Sequence, residues 1–213
     1  KVLADHPNAA EAAGHLADIH AAAGRYEEAA AASRRSLDIL RANRAADHPD
    51  LGDALQKMAH LDVLAGRVAA AGPRFQEALN LLARDPQKHS RALADTFEGL
   101  GRVALLSGRP HEAAASLERS LELRRARFGD QHPDVAQAMV LLADQRRASG
   151  DHAAALDLAL QAETIGRDHL QLMMRAQADH EALRYAAARS SGLDIALALE
   201  AKHRLPGETG RVW

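Results

Sequence analysis

Twelve histidines give this sequence its clearest capacity for chemistry, because imidazole can bind a metal or titrate near neutral pH. His6, His48 and His132 each precede proline and are separated by 42 and 84 residues. No His-Glu-x-x-His run and no cysteine is present to complete a zinc site. Serine occurs without a nucleophile-elbow motif. We therefore predict no catalytic residues, no metal site and no cofactor, and we expect these three histidines to form turns.

The spacing of the histidines belongs to a repeat that runs through most of the chain. Gly24, Gly66, Gly108 and Gly150 also lie 42 residues apart. Columns of small residues share this period: Ala29, Ala71, Ala113, Ala155 and Ser36, Ala78, Ser120, Ala162. Regular recurrence of this kind indicates a repeat protein.

Each 42-residue row reads as two helices joined at the glycine. Apolar residues recur at helical spacing on both sides of it, and glycine suits a turn that needs a positive φ. The small columns indicate close approach of backbones. Pro7, Pro49 and Pro133 suit the first position of a helix. Gly72-Pro73 falls one turn into a helix and predicts a late start or a kink, with a functional hinge as the alternative.

The residues Leu16-Ala17, Gly24-Arg25-Tyr26-Glu27-Glu28-Ala29 and Ser36-Leu37 resemble a tetratricopeptide repeat, and the 42-residue period resembles the kinesin-light-chain type. The resemblance implies an all-α fold: a right-handed superhelical solenoid of about four helix pairs with C-terminal capping helices. We expect repeats at about 5–46, 47–88, 89–130 and 131–166, after residues 1–4 as the tail of a preceding repeat. Residues 167–205 would form capping or linker helices, and 206–213 a tail leading to an absent domain.

The run from Glu181 to Asp194 is similar to the linker of bacterial CHAT proteins, in which tetratricopeptide repeats precede a caspase-like peptidase. This resemblance implies that the chain is the substrate-recruiting or regulatory arm of such a protein. The peptidase would begin after Trp213, so its catalytic His and Cys correspond to no residue of this chain.

Composition limits the classes of partner. A net charge of −2 argues against a general nucleic-acid or anionic-membrane binder. No apolar run is long enough to span a membrane, and no signal peptide opens the chain. Abundant alanine and arginine are typical of a GC-rich bacterial genome. We expect a bacterial, cytoplasmic protein whose partner is a protein or peptide, or a peptidase domain of the same parent chain.

The first helix of each row is expected to line a concave groove that binds this partner. The candidate binding residues are the outward-facing positions of those helices: Asp18, Asp53, Gln56, His60, Asp95, Glu98, Arg102, Asp144 and Arg147. Acidic side chains predominate, which favours a basic or mixed-charge peptide. Kinesin-light-chain repeats typically carry asparagine pairs there, and this sequence has none, which argues against a main-chain clamp of that type.

Three functions follow from these residues. The first is a protein-interaction scaffold serving a CHAT-type peptidase. The second is a scaffold in a signalling ATPase or transcriptional regulator, or an adaptor like kinesin light chain. The third, a metal hydrolase, needs a cluster of ligands that the repeat does not supply.

Overall fold

The computed structural model describes residues 7–176, and every regular element in that range is an α-helix. The helices are α1 (Pro7–Ala22), α2 (Tyr26–Asn43), α3 (Pro49–Leu64), α4 (Val68–Leu82), α5 (Ser90–Leu106), α6 (Pro110–Phe128), α7 (Pro133–Ala148) and α8 (His152–Ala176). The all-α helical repeat fold is thus confirmed, while the right-handed superhelical path stays a prediction. The chain divides into two compact units, Lys1–Gly108 and Arg109–Trp213.

The glycine turns are built as the sequence predicts. Gly24, Gly66 and Gly150 have φ values of +71°, +75° and +88°, a region that only glycine enters at low cost. After each, the next backbone N–H donates to a carbonyl five residues back, as Arg67 does to Asp62 at 2.7 Å. This hydrogen bond is typical of a glycine-terminated helix and turns the chain directly into the next one.

The columns of small residues lie in the core. Ala29, Ala71, Ala113 and Ala155 are all 0% exposed, which confirms that they sit where helices approach closely. In the first unit, one cluster joins α1, α2 and α3 through Ala17, Ala29, Ala32 and Leu61. A second cluster repeats it on α3, α4 and α5 through Ala59, Ala71, Phe75 and Val103. The core of this unit is therefore one packing pattern used twice.

Two helices differ from expectation. Helix α4 begins at Val68 and contains Pro73, so the predicted late start is wrong, whereas the kink and the hinge offered as its alternatives stay predictions. Helix α8 continues through Gly166 to Ala176, so residues 167–176 extend the second helix of the fourth row instead of starting a new one. Phe75 and Ile165 are buried close to Pro73 and Gly166, respectively. Their packing outweighs the low helix propensity of proline and glycine. The predicted tails and the remaining capping helices lie outside the described residues.

Candidate functional site

Seven of the nine predicted groove residues lie on the first helices of the three rows in the first unit. Asp18 is on α1, and the others are on α3 and α5, spaced three or four residues apart so that each helix presents them on one face. Asp18 and His60 are exposed. The half-buried members are Asp53, Gln56, Asp95 and Arg102. Six of the seven side chains can thus be reached from solvent.

Glu98 differs from the prediction that its column faces outward, because its side chain is buried. It precedes Gly99, the position at which α5 lies under the ring of Phe75 from α4. Arg102, one turn further along, donates from Nε to the Glu98 carboxylate at 2.9 Å. Close packing of α4 on α5 therefore covers this acid, and Arg102 neutralises it.

An ion pair joins the first two rows across the candidate groove. Lys57 Nζ on α3 lies 3.0 Å from the Asp18 carboxylate on α1. Both side chains are more than half exposed, so the pair contributes at most about 1 kcal/mol to stability. Its consequence is electrostatic, because Lys57 places a cation among the predicted acidic residues. The only sequence signal at Lys57 is that it occupies a position at which kinesin-light-chain repeats typically carry asparagine.

Asp53 has a buried partner that sequence reasoning missed. Its carboxylate lies 3.5 Å from Nδ1 of His89, which is only 7% exposed. The other ring nitrogen of His89 has no hydrogen-bond partner among the described residues. Burial raises the pKa of the Asp53 carboxyl, and the nearby His89 opposes that rise. His89 falls one position before the His-Pro column, so the repeat gave no signal for it.

His60 on α3 lies close enough to the charged side chains of α5 for them to affect its pKa. Partial desolvation and the positive charge of Arg102 lower the pKa of its imidazole, against the opposing effects of Glu98 and Asp95. The neutral ring is therefore the favoured form in this position near neutral pH.

The His-Pro histidines cap helices. Nδ1 of His48 accepts a hydrogen bond from the backbone N–H of Asp50 at 3.2 Å, and His132 does the same for Asp134 at 3.1 Å. Each histidine thus satisfies one of the unpaired N–H groups at a helix start. The expectation that these two residues form turns is confirmed. His6 lies outside the described residues.

A buried carboxylate lies near the second glycine turn. Asp62 on α3 is 3% exposed and accepts hydrogen bonds from Arg67, at 2.9 Å, and from Arg74. Arg67 also pairs with Glu27 on α2 at 2.5 Å. These four side chains join three helices, and their role is to hold the first two rows together. The corresponding residues of the first row, Arg25 and His20, also form a hydrogen bond, at 3.0 Å, but that row has no carboxylate at this position, so the columns did not reveal the cluster.

The remaining two predicted residues, Asp144 and Arg147, lie on α7 in the second unit. Arg147 donates to the Asp144 carboxylate from Nε at 3.1 Å and from a terminal nitrogen at 2.5 Å. Both side chains are more than two-fifths exposed. They form a local pair on the surface of the helix.

Two cavities lie between the first two rows of the first unit. The larger has a volume of about 510 Å³ and is lined by residues of α1, α2 and α3 that include Gly14 and Asp53. The smaller, of about 110 Å³, is lined by Asp18, Gln56 and His60 among others. Gly14, Ser36, Ala54 and Lys57 line both. Four of the predicted groove residues, Asp18, Asp53, Gln56 and His60, therefore border one or other of two cavities that share part of their walls.

Two further observations concern residues 7–176 alone. No group of three or more metal-ligating side chains is found among them. None of their helices combines the length and the apolar character that crossing a bilayer requires.

Solved structures share this fold. A kinesin light chain protein of Podosopora anserina with nearly identical TPR-like repeats superposes with a TM-score of 0.66 at 17% identity, covering 94% of this chain and 99% of that one. BtubC (BKLC) from P. vanneervenii gives 0.65 at 22% identity, covering 92% and 81%. The MamA protein gives 0.52 at 16% identity, covering 93% and 95%. A comparison with curated protein sequences gave no significant match.

These similarities establish the fold alone. Sequence identities this low support no assignment of function. Membership of a sequence family depends on the repeat itself. The tetratricopeptide-repeat model matches residues 8–84 and 90–168, more than half of the chain, and the chain therefore belongs to the tetratricopeptide-repeat family.

Proposed function

We propose that this chain is a protein-interaction scaffold that binds an extended peptide along the first helices of its rows. Proteins of the tetratricopeptide-repeat family are scaffolds for protein and peptide partners. In the first unit the proposed contact residues are Asp18, Asp53, Gln56, His60, Asp95, Glu98 and Arg102. In the second unit, Asp144 and Arg147 have the same role on α7.

The observation that carries this proposal is the open space bordered by α1 and α3. Asp18, Asp53, Gln56 and His60 reach it from two adjacent rows. A ligand lying there contacts both rows at once, and exposed acids at its edge steer and orient a basic or mixed-charge peptide. Affinity then comes from a few side chains of the peptide that are well buried.

At a finer level, we propose that the scaffold is the substrate-recruiting or regulatory arm of a bacterial, cytoplasmic CHAT-type peptidase. The support is the similarity of residues 181–194 to the linker of those proteins, a segment outside the described residues. In this role the groove holds either a substrate segment or part of the peptidase domain.

A second candidate is an adaptor resembling kinesin light chain. It is favoured by the solved structures named above, which include a kinesin light chain protein and BtubC (BKLC). The positions at which that type of repeat carries asparagine pairs hold Gly14-His15, Gln56-Lys57 and Glu98-Gly99 in the first unit. An adaptor with these residues contacts the side chains of a bound peptide more than its backbone.

The groove is tested by selecting 12-residue peptides from a random display library on the immobilised protein. The selected peptides are then measured against the variant Asp53→Lys/Asp95→Lys by fluorescence polarisation. The matched control is Glu28→Lys/Asp38→Lys, which makes the same change of net charge at exposed positions of α2. We expect the groove variant to lose at least tenfold in affinity and the control to change little. Equal losses in both variants would mean that net charge alone governs binding.

The peptidase connection is tested separately, on the parent gene. A coding region that continues past Trp213 into a domain with a paired His and Cys supports the CHAT assignment. A continuation into a domain of another kind refutes it and leaves the adaptor as the better candidate.

A further inference from the structure

Gly14 lines the larger of the two cavities described above. Positions 56, 98 and 140, which share its column, hold Gln, Glu and Val. Glycine inside a helix costs about 1 kcal/mol relative to alanine, so its presence in the middle of α1 calls for a reason.

Packing does not supply that reason. A Cβ placed at Gly14 would meet no atom nearer than Ser36 Oγ, at 3.8 Å. At Gly52 the nearest atom would be a Leu82 carbon at 2.8 Å, and at Gly99 a Phe75 carbon at 2.2 Å. The fold therefore requires glycine at positions 52 and 99 but tolerates a side chain at 14. What the absent side chain leaves is open space between α1 and α3.

The walls of this space carry unequal charge. Glu11, Asp50 and Asp53 line the larger cavity, against two permanent cations, Arg44 and Lys57. Arg44 is engaged by Asp50 at 3.3 Å. Lys57 is engaged by Asp18 at 3.0 Å.

Asp53 is different, because the base that contacts its carboxylate, at 3.5 Å, is a buried imidazole, while the cation of Lys57 acts on it without a direct contact. Burial raises the pKa of the Asp53 carboxyl, so its ionised form gains from any additional positive charge placed in the cavity. With neutral histidines the cavity carries an excess of negative charge.

The chemistry of the opening also includes an apolar part. Ala54 lines both cavities, and Ala17, Ala21 and Leu61 line the smaller one. A suitable ligand therefore has an aliphatic portion that lies against alanine and a cationic end that reaches Asp53. Arginine and lysine side chains have this combination. At about 510 Å³ the cavity is in the range of small-molecule pockets, so one long side chain fits.

We propose that the cavity at Gly14 is a binding pocket for the side chain of an arginine or lysine in the bound peptide. The aliphatic stem packs against Gly14 and Ala54, and the cationic group pairs with Asp53 and Glu11. The inference deepens the proposed function, because it assigns the peptide a basic anchor at the first row. Lys57, which lies at the boundary of both cavities, repels this anchor and limits its affinity.

A direct test uses N-acetyl-arginine N-methylamide as the probe, followed by amide chemical shifts in two-dimensional NMR. N-acetyl-citrulline N-methylamide is the matched control, because it has almost the same shape without the charge. We expect saturable shifts of the Gly14 and Ser36 amides with the arginine probe and at least fivefold weaker binding of the citrulline probe. Equal binding of the two probes overturns the proposal.

Three variants sharpen the test. Gly14→Gln, which places the residue of the second row in the first, is expected to abolish binding of the arginine probe. Asp53→Asn is expected to weaken it by about fivefold, the scale of one partly exposed ion pair. Lys57→Met is expected to strengthen it by a similar factor, and a weakening there overturns the proposal. Circular dichroism checks that each variant is folded. If Gly14→Gln is unfolded, the changes in affinity of Lys57→Met and Asp53→Asn decide whether the pocket exists.

The peptides selected on the whole chain separate this inference from the proposed function. Peptides that lose affinity for Asp53→Lys/Asp95→Lys but bind Gly14→Gln as well as the unaltered chain leave the groove in place and refute the pocket. Failure to select any peptide, together with tight arginine-probe binding, refutes the peptide scaffold and leaves the pocket.

Discussion

Two glycines on the first helices of their rows are expected to respond in opposite directions to the same change. Gly14 on α1 and Gly99 on α5 both lie inside helices, at neighbouring positions of the repeat. Replacing either with alanine adds one methyl group and improves helix propensity. Only at Gly99 does that methyl group enter occupied space.

The magnitudes follow from the distances. At Gly99 the new Cβ would lie 2.2–2.6 Å from three ring carbons of Phe75, which is 0% exposed and cannot move aside freely. Overpacking of this kind costs about 1–3 kcal/mol, and the overlap indicates the upper end. Improved helix propensity returns about 1 kcal/mol. We expect Gly99→Ala to lose about 2 kcal/mol and Gly14→Ala to gain up to ~1 kcal/mol.

Thermal unfolding followed by circular dichroism at 222 nm measures both effects. For a chain of this size, 1 kcal/mol corresponds to about 2–4 °C. Gly99→Ala should therefore lower Tm by roughly 4–8 °C and Gly14→Ala should raise it by up to about 4 °C. Phe75→Leu in the Gly99→Ala background should recover part of the loss. A rise in Tm for Gly99→Ala, or an equal fall for both variants, would refute the packing explanation and with it the meaning given to Gly14.

Three other predictions concern the side chains around the first unit. Replacing Arg67 and Arg74 together with methionine leaves Asp62 as an uncompensated buried charge, and we expect a loss of about 3 kcal/mol in urea unfolding, part of which Asp62→Asn restores. His48→Ala removes the cap of α3 and should cost about 1 kcal/mol, measured in the same way, whereas His48→Asn should cost little. Because the folded protein lowers the pKa of His60, the unfolded state binds a proton there first, so stability should fall as pH drops below about 6.5. His60→Gln should reduce the fall between pH 7.5 and 5.5 in pH-dependent urea titrations, and an unchanged pH profile would contradict this reasoning.

The turns and the core columns could be predicted from sequence because each depends on local chemistry that repeats. A positive φ at Gly66 follows from the lack of a Cβ, whatever lies elsewhere in the chain. Burial of Ala71 follows from its column, in which every row has alanine. Repetition thus supplied evidence that a single row would not have given.

The helix ends that were predicted wrongly show the limit of local rules. Pro73 and Gly166 are unfavourable inside helices, and a sequence rule therefore places a boundary near each. In the structure Phe75 and Ile165 are buried close to them, and the helices pass through. The decisive energy comes from side chains packed across helices, which the local sequence does not contain.

The candidate site was predictable only in part for the same reason. Outward-facing acids such as Asp53 and Asp95 could be read from the helical period. The contact of Asp53 with His89 spans 36 residues and departs from the repeat register, so no column indicated it. Burial of Glu98 likewise depends on the neighbouring Phe75 ring and not on the polarity of its own column.

In a repeat fold, a column that has the same residue in every row marks a position required for packing. A column whose residue differs from row to row marks a position that packing does not fix. The column of Ala29 is alanine in every row, because any larger side chain would part the helices. The column of Gly14 holds four different residues in four rows, and the space beside Gly14 accepts a methyl group. Alanine would be the more stable residue in the middle of α1, by about 1 kcal/mol. A binding requirement at the first row, filled by a basic side chain of the partner, accounts for a residue that the fold does not ask for.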